Sequence, residues 1–368
     1  MKRILFVGDS PDVPSGLSRI ARELAQRVHS CGLASVGYAG YWGIGTKHYS
    51  FTQYALGKFD HTASAEPLLH AVQDFAPDIV FTIYDVPRLW EIAGAYRTWA
   101  LWGYFPVDAE GAAPSSALTP DQKDILEAYD RVLAYGPFGA RVLSTTLNRD
   151  IAWIPHAISD EWKPRLGGRD LLVRERGLRV LPEHRLLGVV ATNQVRKDWG
   201  STLQVLRELG PEWRLWGHVD KTIGVWNLPA LADAYGLRDS VFLTNSLDDL
   251  SLQRLYSACD VTFAPGLGEG FGFPIVESLA CGTPCVHVDY AGGADLLPTE
   301  LRVPPLSYRI EGAYCLKRPV LDVGGTARAI LAAVDRGDEA ESLTRRADAY
   351  KWRNVWSQWK KWFMAGLK

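Results

Sequence analysis

The chain has 368 residues, 47% of them hydrophobic, and sets 40 Lys and Arg against 42 Asp and Glu for a formal net charge of −2. That length exceeds one ordinary core and predicts two domains. The charge balance excludes a strongly basic chain while leaving room for a local basic patch, and no apolar run approaches the roughly 20 residues that span a bilayer.

Five cysteines without framework spacing predict reduced thiols, a cytoplasmic setting and no metal site. "MKRILFVGDS" starts with basic residues, but its apolar stretch ends at Asp9, too early for a signal-peptide core, and reads as a first strand over Arg3–Gly8. Leu17, Ile20, Ala21, Leu24, Ala25 and Val28 then recur at helical spacing behind Ser15 as N-cap. Further strands are predicted at Ser35–Gly40, Asp78–Tyr84, Trp99–Phe105, Arg131–Tyr135 and Ala152–Pro155. Beyond the linking stretch "HAISDEWKPRLGGRD" the pattern repeats. Strands Leu186–Thr192, Arg214–Gly217, Val241–Thr244, Asp260–Ala264 and Pro284–Val288 alternate with helices Trp199–Leu209, Leu228–Tyr235, Asp248–Ala258 and Pro274–Cys281. Such alternation predicts an α/β chain of two doubly wound, Rossmann-like domains, 1–157 and 158–347, followed by a C-terminal helix over 348–368. In open parallel sheets ligands bind beyond the carboxyl ends of the strands.

One such end carries "FAPGLGEGFGFPIVESLACGTP", with glycines at 266, 268, 270 and 272 and two glutamates, Glu269 and Glu277, separated by seven residues. Glycine loses the most backbone entropy on ordering, so this density predicts a need for bare backbone. The loop empties into a helix at Pro274, which Gly282 should end. Free amides and the positive end of the helix dipole there suit a phosphate or diphosphate. Glu277, one turn into the helix, suits the paired hydroxyls of a ribose, and Glu269 a sugar hydroxyl or a developing positive centre. A dinucleotide fingerprint fails because Phe273 holds the place of its third glycine. Arg196 and Lys197 stand between a buried strand and a helix start, a favourable place for phosphate contacts.

The stretch "YSACDVTFAPGLGEGFGFPIVESLACGTPCVHVDYAGGADLL" resembles the donor-site signature of retaining glycosyltransferases of the GT-B fold, in particular the large fourth sequence family. "GDSPDVPSGLSRIARELAQRV" is similar to that family's N-terminal glycine loop and first helix. "GVVATNQVRKDWG" resembles the loop that supplies its basic pair, and "IAWIPHAISDEWKP" its entry to the interdomain linker, with His156 where asparagine is common. The resemblance implies a GT-B chain whose two domains face across a cleft, the N-terminal one on the acceptor side and the C-terminal one holding a nucleotide diphosphate sugar, UDP- or GDP-linked. The sugar would pass to an acceptor hydroxyl in a glycan, a lipid-linked intermediate or a small molecule, with retention and with no metal or further cofactor. Arg196, Lys197, the backbone of Gly270, Phe271 and Gly272, and Gly16 would meet the donor phosphates, Glu277 the nucleotide and Glu269 the reacting sugar. The family's N-terminal histidine is missing after "WGYFPVDAEG", which leaves Asp108 as the polar candidate for a catalytic role on that side.

The tail "YKWRNVWSQWKKWF" has one strongly apolar face flanked by cations, and predicts either docking back onto the N-terminal domain or peripheral contact with an anionic membrane. No obligate protein partner is implied. Aromatics mixed with Lys47, His48, Arg88 and Arg97 in "YWGIGTKHYSF" and "YDVPRLWEIAGAYRTW" fit sugars or an extruded base, so a hydroxylated base in DNA is an alternative acceptor. The same architecture also hosts nucleotide-sugar epimerases and phosphorylases, and a non-catalytic sugar-nucleotide-binding protein would keep the same loop.

Overall fold

The computed structural model describes residues 1–43, 47–58, 66–86, 97–170, 180–337 and 340–368. The chain forms two compact units. The first comprises Met1–Ala157, Gly312–Leu316 and Val355–Lys368, and the second Ile158–Glu311 and Lys317–Asn354.

The first unit is built on strands β1 (Arg3–Asp9), β2 (Ser35–Tyr41), β3 (Thr52–Gly57), β4 (Ile79–Ile83) and β5 (Ala100–Phe105), followed by the two-residue β6 (Glu110–Gly111) and by β7 (Arg131–Ala134). Six of them form a sheet in the order β3-β2-β1-β4-β5-β7, every pairing parallel. β1 from Ile4 to Asp9 and the whole of β4 are buried, as strands covered on both faces must be. The Gly16–Ser30 helix lays Ile20, Ala21, Leu24, Ala25 and Val28 into this core, and its N-cap Ser15 accepts from the Ser18 amide at 3.0 Å. The edge strand β3 went unpredicted because "TQYALG" is half exposed and shows no clean alternation.

The second unit repeats the plan with β8 (Arg185–Val190), β9 (Trp213–His218), β10 (Val241–Thr244), β11 (Val261–Ala264), β12 (Cys285–Val288) and β13 (Arg302–Val303), ordered β10-β9-β8-β11-β12-β13 and parallel throughout. Two more strands follow in the chain, β14 (Ser307–Glu311) and β15 (Leu316–Val320). Both six-stranded sheets reverse direction of strand order beside their first strand, at β1/β4 and at β8/β11. These are the positions where a doubly wound sheet opens a crevice.

The expected strand at Ala152–Pro155 is reduced to a single bridge between Trp153 and Ala134. Pro155 has no N–H to continue a ladder, and Trp153 is exposed. The C-terminal Trp352–Gly366 helix has Val355, Trp359 and Phe363 fully buried. In the first unit the Phe363 ring meets Phe81 at 5.6 Å and Trp362 meets Trp102 at 5.1 Å, with the Arg131 guanidinium 4.1 Å from the Trp362 ring centre. The Val355, Trp359 and Phe363 side of the tail's apolar face is thus packed against protein, as the docking alternative expects. Among the described residues no helix is long and apolar enough to cross a membrane.

Candidate active site

The informative residues of the second unit gather where β8 and β11 diverge. After β8, Asn193 is buried and fully engaged: its amide N–H donates to Asp220, its side-chain NH2 to the Lys221 and Trp226 carbonyls, and its side-chain oxygen accepts from the Trp226 N–H. These four bonds tie the loop after β8 to the loop after β9. A single 3-10 turn over Val195–Lys197 follows, and Asp198 then caps the Trp199–Leu209 helix by accepting from the Ser201 amide at 3.2 Å. The short turn between two anchored ends aims Arg196 and Lys197 at the loop that leaves β11.

That loop is held from the other side. The Leu267 amide donates to the Arg196 carbonyl at 2.7 Å, and Arg196 Nη1 donates to the Gly268 carbonyl at 2.9 Å. The Glu269 carboxylate, 9% exposed, ion-pairs with Arg196 at 3.3 Å through Oε2 and with buried Lys197 through Oε1. Burial alone would raise the Glu269 pKa, but Lys197 and then Arg196 outweigh it and hold the carboxyl at about 2. Two cations thus face one carboxylate that stays ionised at neutral pH.

The glycines divide by purpose. A Cβ on Gly266 would lie 2.1 Å from Glu269 Oε1, so this position is bare because the carboxylate folds back over it. Gly272 has φ +110°, a conformation that glycine takes without strain, and serves as N-cap of the Phe273–Ala280 helix with Pro274 in the first turn. Phe271 is buried and packs edge-on against Phe273 and Tyr350. Within the helix Glu277 is buried and accepts from the Tyr256 hydroxyl at 3.0 Å.

Two supports come from beyond the glycine loop. The Gly292 amide donates to the Glu269 carbonyl at 2.9 Å, and a Cβ on Gly292 would stand 2.4 Å from the Gly270 carbonyl oxygen. His287, fully buried at the end of β12, bonds through Nδ1 to the Ala264 carbonyl at 2.7 Å. A carbonyl only accepts, so Nδ1 carries the proton; burial lowers the His287 pKa and keeps the ring neutral. Asn193, Tyr256, His287 and Gly292 all lie in stretches whose resemblance was noted, yet none was singled out. Their signal was polarity or glycine at a strand or helix end predicted to be buried.

Of the predicted site residues, the fold brings Arg196, Lys197, Glu269, Gly270, Phe271, Gly272 and Glu277 together on one loop cluster and the helix it feeds. Gly16 and Asp108 belong to the first unit, Gly16 opening the first helix and Asp108 half-buried just past β5. Arg97 is committed locally, donating to the Ala128 carbonyl and pairing with Asp130 at 3.2 Å, while Arg88 lies outside the described residues. Among the described residues no three His, Cys, Asp or Glu side chains gather as metal ligands would.

Residues 224–298 match the family described as glycosyl transferases group 1. Over 77 residues, 21% of this chain, the sequence is 42% identical to D-inositol 3-phosphate glycosyltransferase of Thermobifida fusca, and the matched stretch spans only 17% of that protein. A similar relative in Xylanimonas cellulosilytica is 30% identical over 183 residues, 49% of this chain and 42% of its own length. Likeness to solved structures covers the whole chain. Sucrose-phosphate synthase from Thermosynechococcus elongatus superposes with a TM-score of 0.78 at 17% identity, covering 99% of both chains. Anabaena Alr3699/HepE in complex with UDP and glucose gives 0.77 at 15% identity, covering 99% of this chain and 100% of that one. The chain therefore has the GT-B fold, built of two Rossmann-like α/β units, and its second unit carries the group 1 glycosyl transferase match.

Proposed function

We propose that the chain is a retaining glycosyltransferase that moves a sugar from a nucleotide diphosphate sugar to an acceptor hydroxyl. The observation that carries this reading is the cluster of Arg196, Lys197 and Glu269 at the head of the Phe273–Ala280 helix. Arg196 and Lys197 bring positive charge beside the amides of Gly270, Phe271 and Gly272 and the positive end of the helix dipole. A diphosphate matches that charge and geometry. As the bond from sugar to diphosphate breaks, negative charge grows on the leaving oxygen, and these fixed donors stabilise it without reorganising. Buried Glu277 offers carboxylate oxygens to the hydroxyls of the nucleotide's ribose, held in orientation by Tyr256.

Glu269 serves the other side of the reaction. A carboxyl held at about 2 is a poor proton donor at neutral pH, so its contribution is a constant negative charge near the oxocarbenium-like sugar. In the first unit Gly16 takes the close approach to donor phosphate that the family resemblance implies, and Asp108, where the family's histidine is missing, is the polar candidate for contact near the reacting sugar. UDP, bound in the similar Anabaena structure, is the first nucleotide to test, with GDP beside it.

The test is turnover. Incubation with UDP- and GDP-sugars should release nucleoside diphosphate faster when acceptor hydroxyls are supplied, and product NMR should give an anomeric configuration equal to the donor's. Sugar altered without an acceptor would instead indicate an epimerase, strict dependence on inorganic phosphate a phosphorylase, and absence of turnover with intact nucleotide binding a binding protein.

A further inference from the structure

The strand ends of the first unit hold a feature that the donor site does not use. Trp42, immediately after β2, has φ +71°, a conformation that is a true outlier for a bulky residue, and it is 45% exposed. Its backbone is pinned in that state, because the Trp42 N–H donates to the Gly57 carbonyl at 2.7 Å. The ring is pinned too: Nε1 donates to the Tyr84 hydroxyl at 3.1 Å. The Tyr84 hydroxyl in turn donates to buried Asp9 Oδ1 at 2.6 Å, and Asp9 Oδ2 accepts from the Ser15 hydroxyl at 2.5 Å. Ser15 is the N-cap of the first helix, so an unbroken chain of hydrogen bonds links the exposed indole to the β1/β4 switch point and to the helix beside Gly16.

Strained backbone that is held by its surroundings tends to mark ligand clamps, and a rigid aromatic face loses little conformational freedom when it binds. With its N–H already engaged, Trp42 has only its apolar surface to offer. We propose that Trp42 is the stacking platform for the acceptor, and that the acceptor part seated there is a polyhydroxylated ring, a sugar or cyclitol, whose C–H face lies on the indole. This rests on the glycosyltransferase reading and adds an acceptor class and subsite to it. The surrounding charge favours a polyol over nucleic acid. Asp12 accepts from the Tyr49 hydroxyl at 2.9 Å and from the Lys47 amide at 2.9 Å, Arg22 is engaged with the Pro11 carbonyl, and Arg97 is tied to Asp130, so the described cations Arg22 and Arg97 are committed within the fold and a carboxylate stands beside the indole's strand end.

Ligand-observed saturation-transfer NMR tests the proposal with methyl glucoside, methyl galactoside, methyl mannoside, myo-inositol and 5-hydroxymethyl-2′-deoxycytidine as probes. The variants are Trp42→Ala and Trp42→Asn, the second because asparagine tolerates positive φ, with UDP, GDP and ADP binding measured on the same samples. At least one sugar or cyclitol probe should receive saturation at its ring C–H protons from the wild type, and both variants should weaken that binding about tenfold. Nucleotide binding should be unchanged. Failure of every sugar and cyclitol probe to bind the wild type, signals that survive in both variants, or Trp42-dependent binding of the nucleoside alone would each overturn the proposal. Loss of all nucleotide binding in the wild type would strike the donor reading instead, leaving the ring probes to judge Trp42.

Discussion

Replacing Glu269 by Gln removes a carboxylate that pairs with both Lys197 and Arg196 while keeping its shape. Breaking a buried ion pair from one side costs about 3–5 kcal/mol, because the remaining charge is stranded. The lowered pKa leads to a similar figure by linkage: a carboxyl lowered from its ordinary 4.5 to about 2 contributes roughly 3 kcal/mol at pH 7. The two agree, and for a unit of this size about 2–4 °C per kcal/mol predicts a fall in Tm of roughly 6–12 °C. The pH dependence has a definite sign. The folded value lies below the unfolded one, so the stabilisation is complete above pH 4.5 and fades as pH falls toward 2. At pH 3 the gap between wild type and Glu269→Gln should shrink to roughly 1.4 kcal/mol. Nucleoside diphosphate should restore more stability to the variant than to the wild type, since its phosphates replace the missing charge. Calorimetric melts from pH 7 to pH 3, with and without UDP, read all of this. An unchanged Tm at pH 7, or a gap that does not narrow in acid, would refute the proposed balance of charge.

Gly266→Ala should displace the Glu269 carboxylate, which a Cβ would meet at 2.1 Å, so its turnover should drop toward that of Glu269→Gln; full activity in a steady-state assay would contradict this. Tyr256→Phe leaves Glu277 Oε2 without its hydroxyl partner, and about 1 kcal/mol, or a several-fold rise in the donor Kd by titration, is expected. Phe363→Ala empties a fully buried site between Phe6 and Phe81, and should destabilise the first unit by about 3–5 kcal/mol in denaturant melts while nucleotide affinity stays near that of the wild type.

The parallel sheets were legible because their strands are short apolar runs broken by helical periodicity, a pattern that buried β-strands share wherever they occur. Helix Trp199–Leu209 and strand Val241–Thr244 fall where the sequence puts them. Edge elements such as β3 were not legible, since a half-exposed strand carries neither a continuous apolar run nor clean alternation. At the site, Glu269, Glu277 and the basic pair stood out by residue type, but the partition of the glycines did not. Gly266 makes room for a side chain three residues later and Gly292 for a carbonyl more than twenty residues earlier, and such contacts exist only after folding. The same holds for Trp42, whose positive φ and bond to Tyr84 depend on where β3 and β4 lie.

The loop cluster after β8 and β11 is proposed to receive a nucleoside diphosphate. Calorimetric titration of UDP, GDP and ADP into wild type and Glu277→Ala tests it most directly. Selective binding by the wild type and a clear weakening by the substitution at unchanged fold are expected. Equal affinity in the two proteins, or no binding of any of the three to folded wild type, would contradict it.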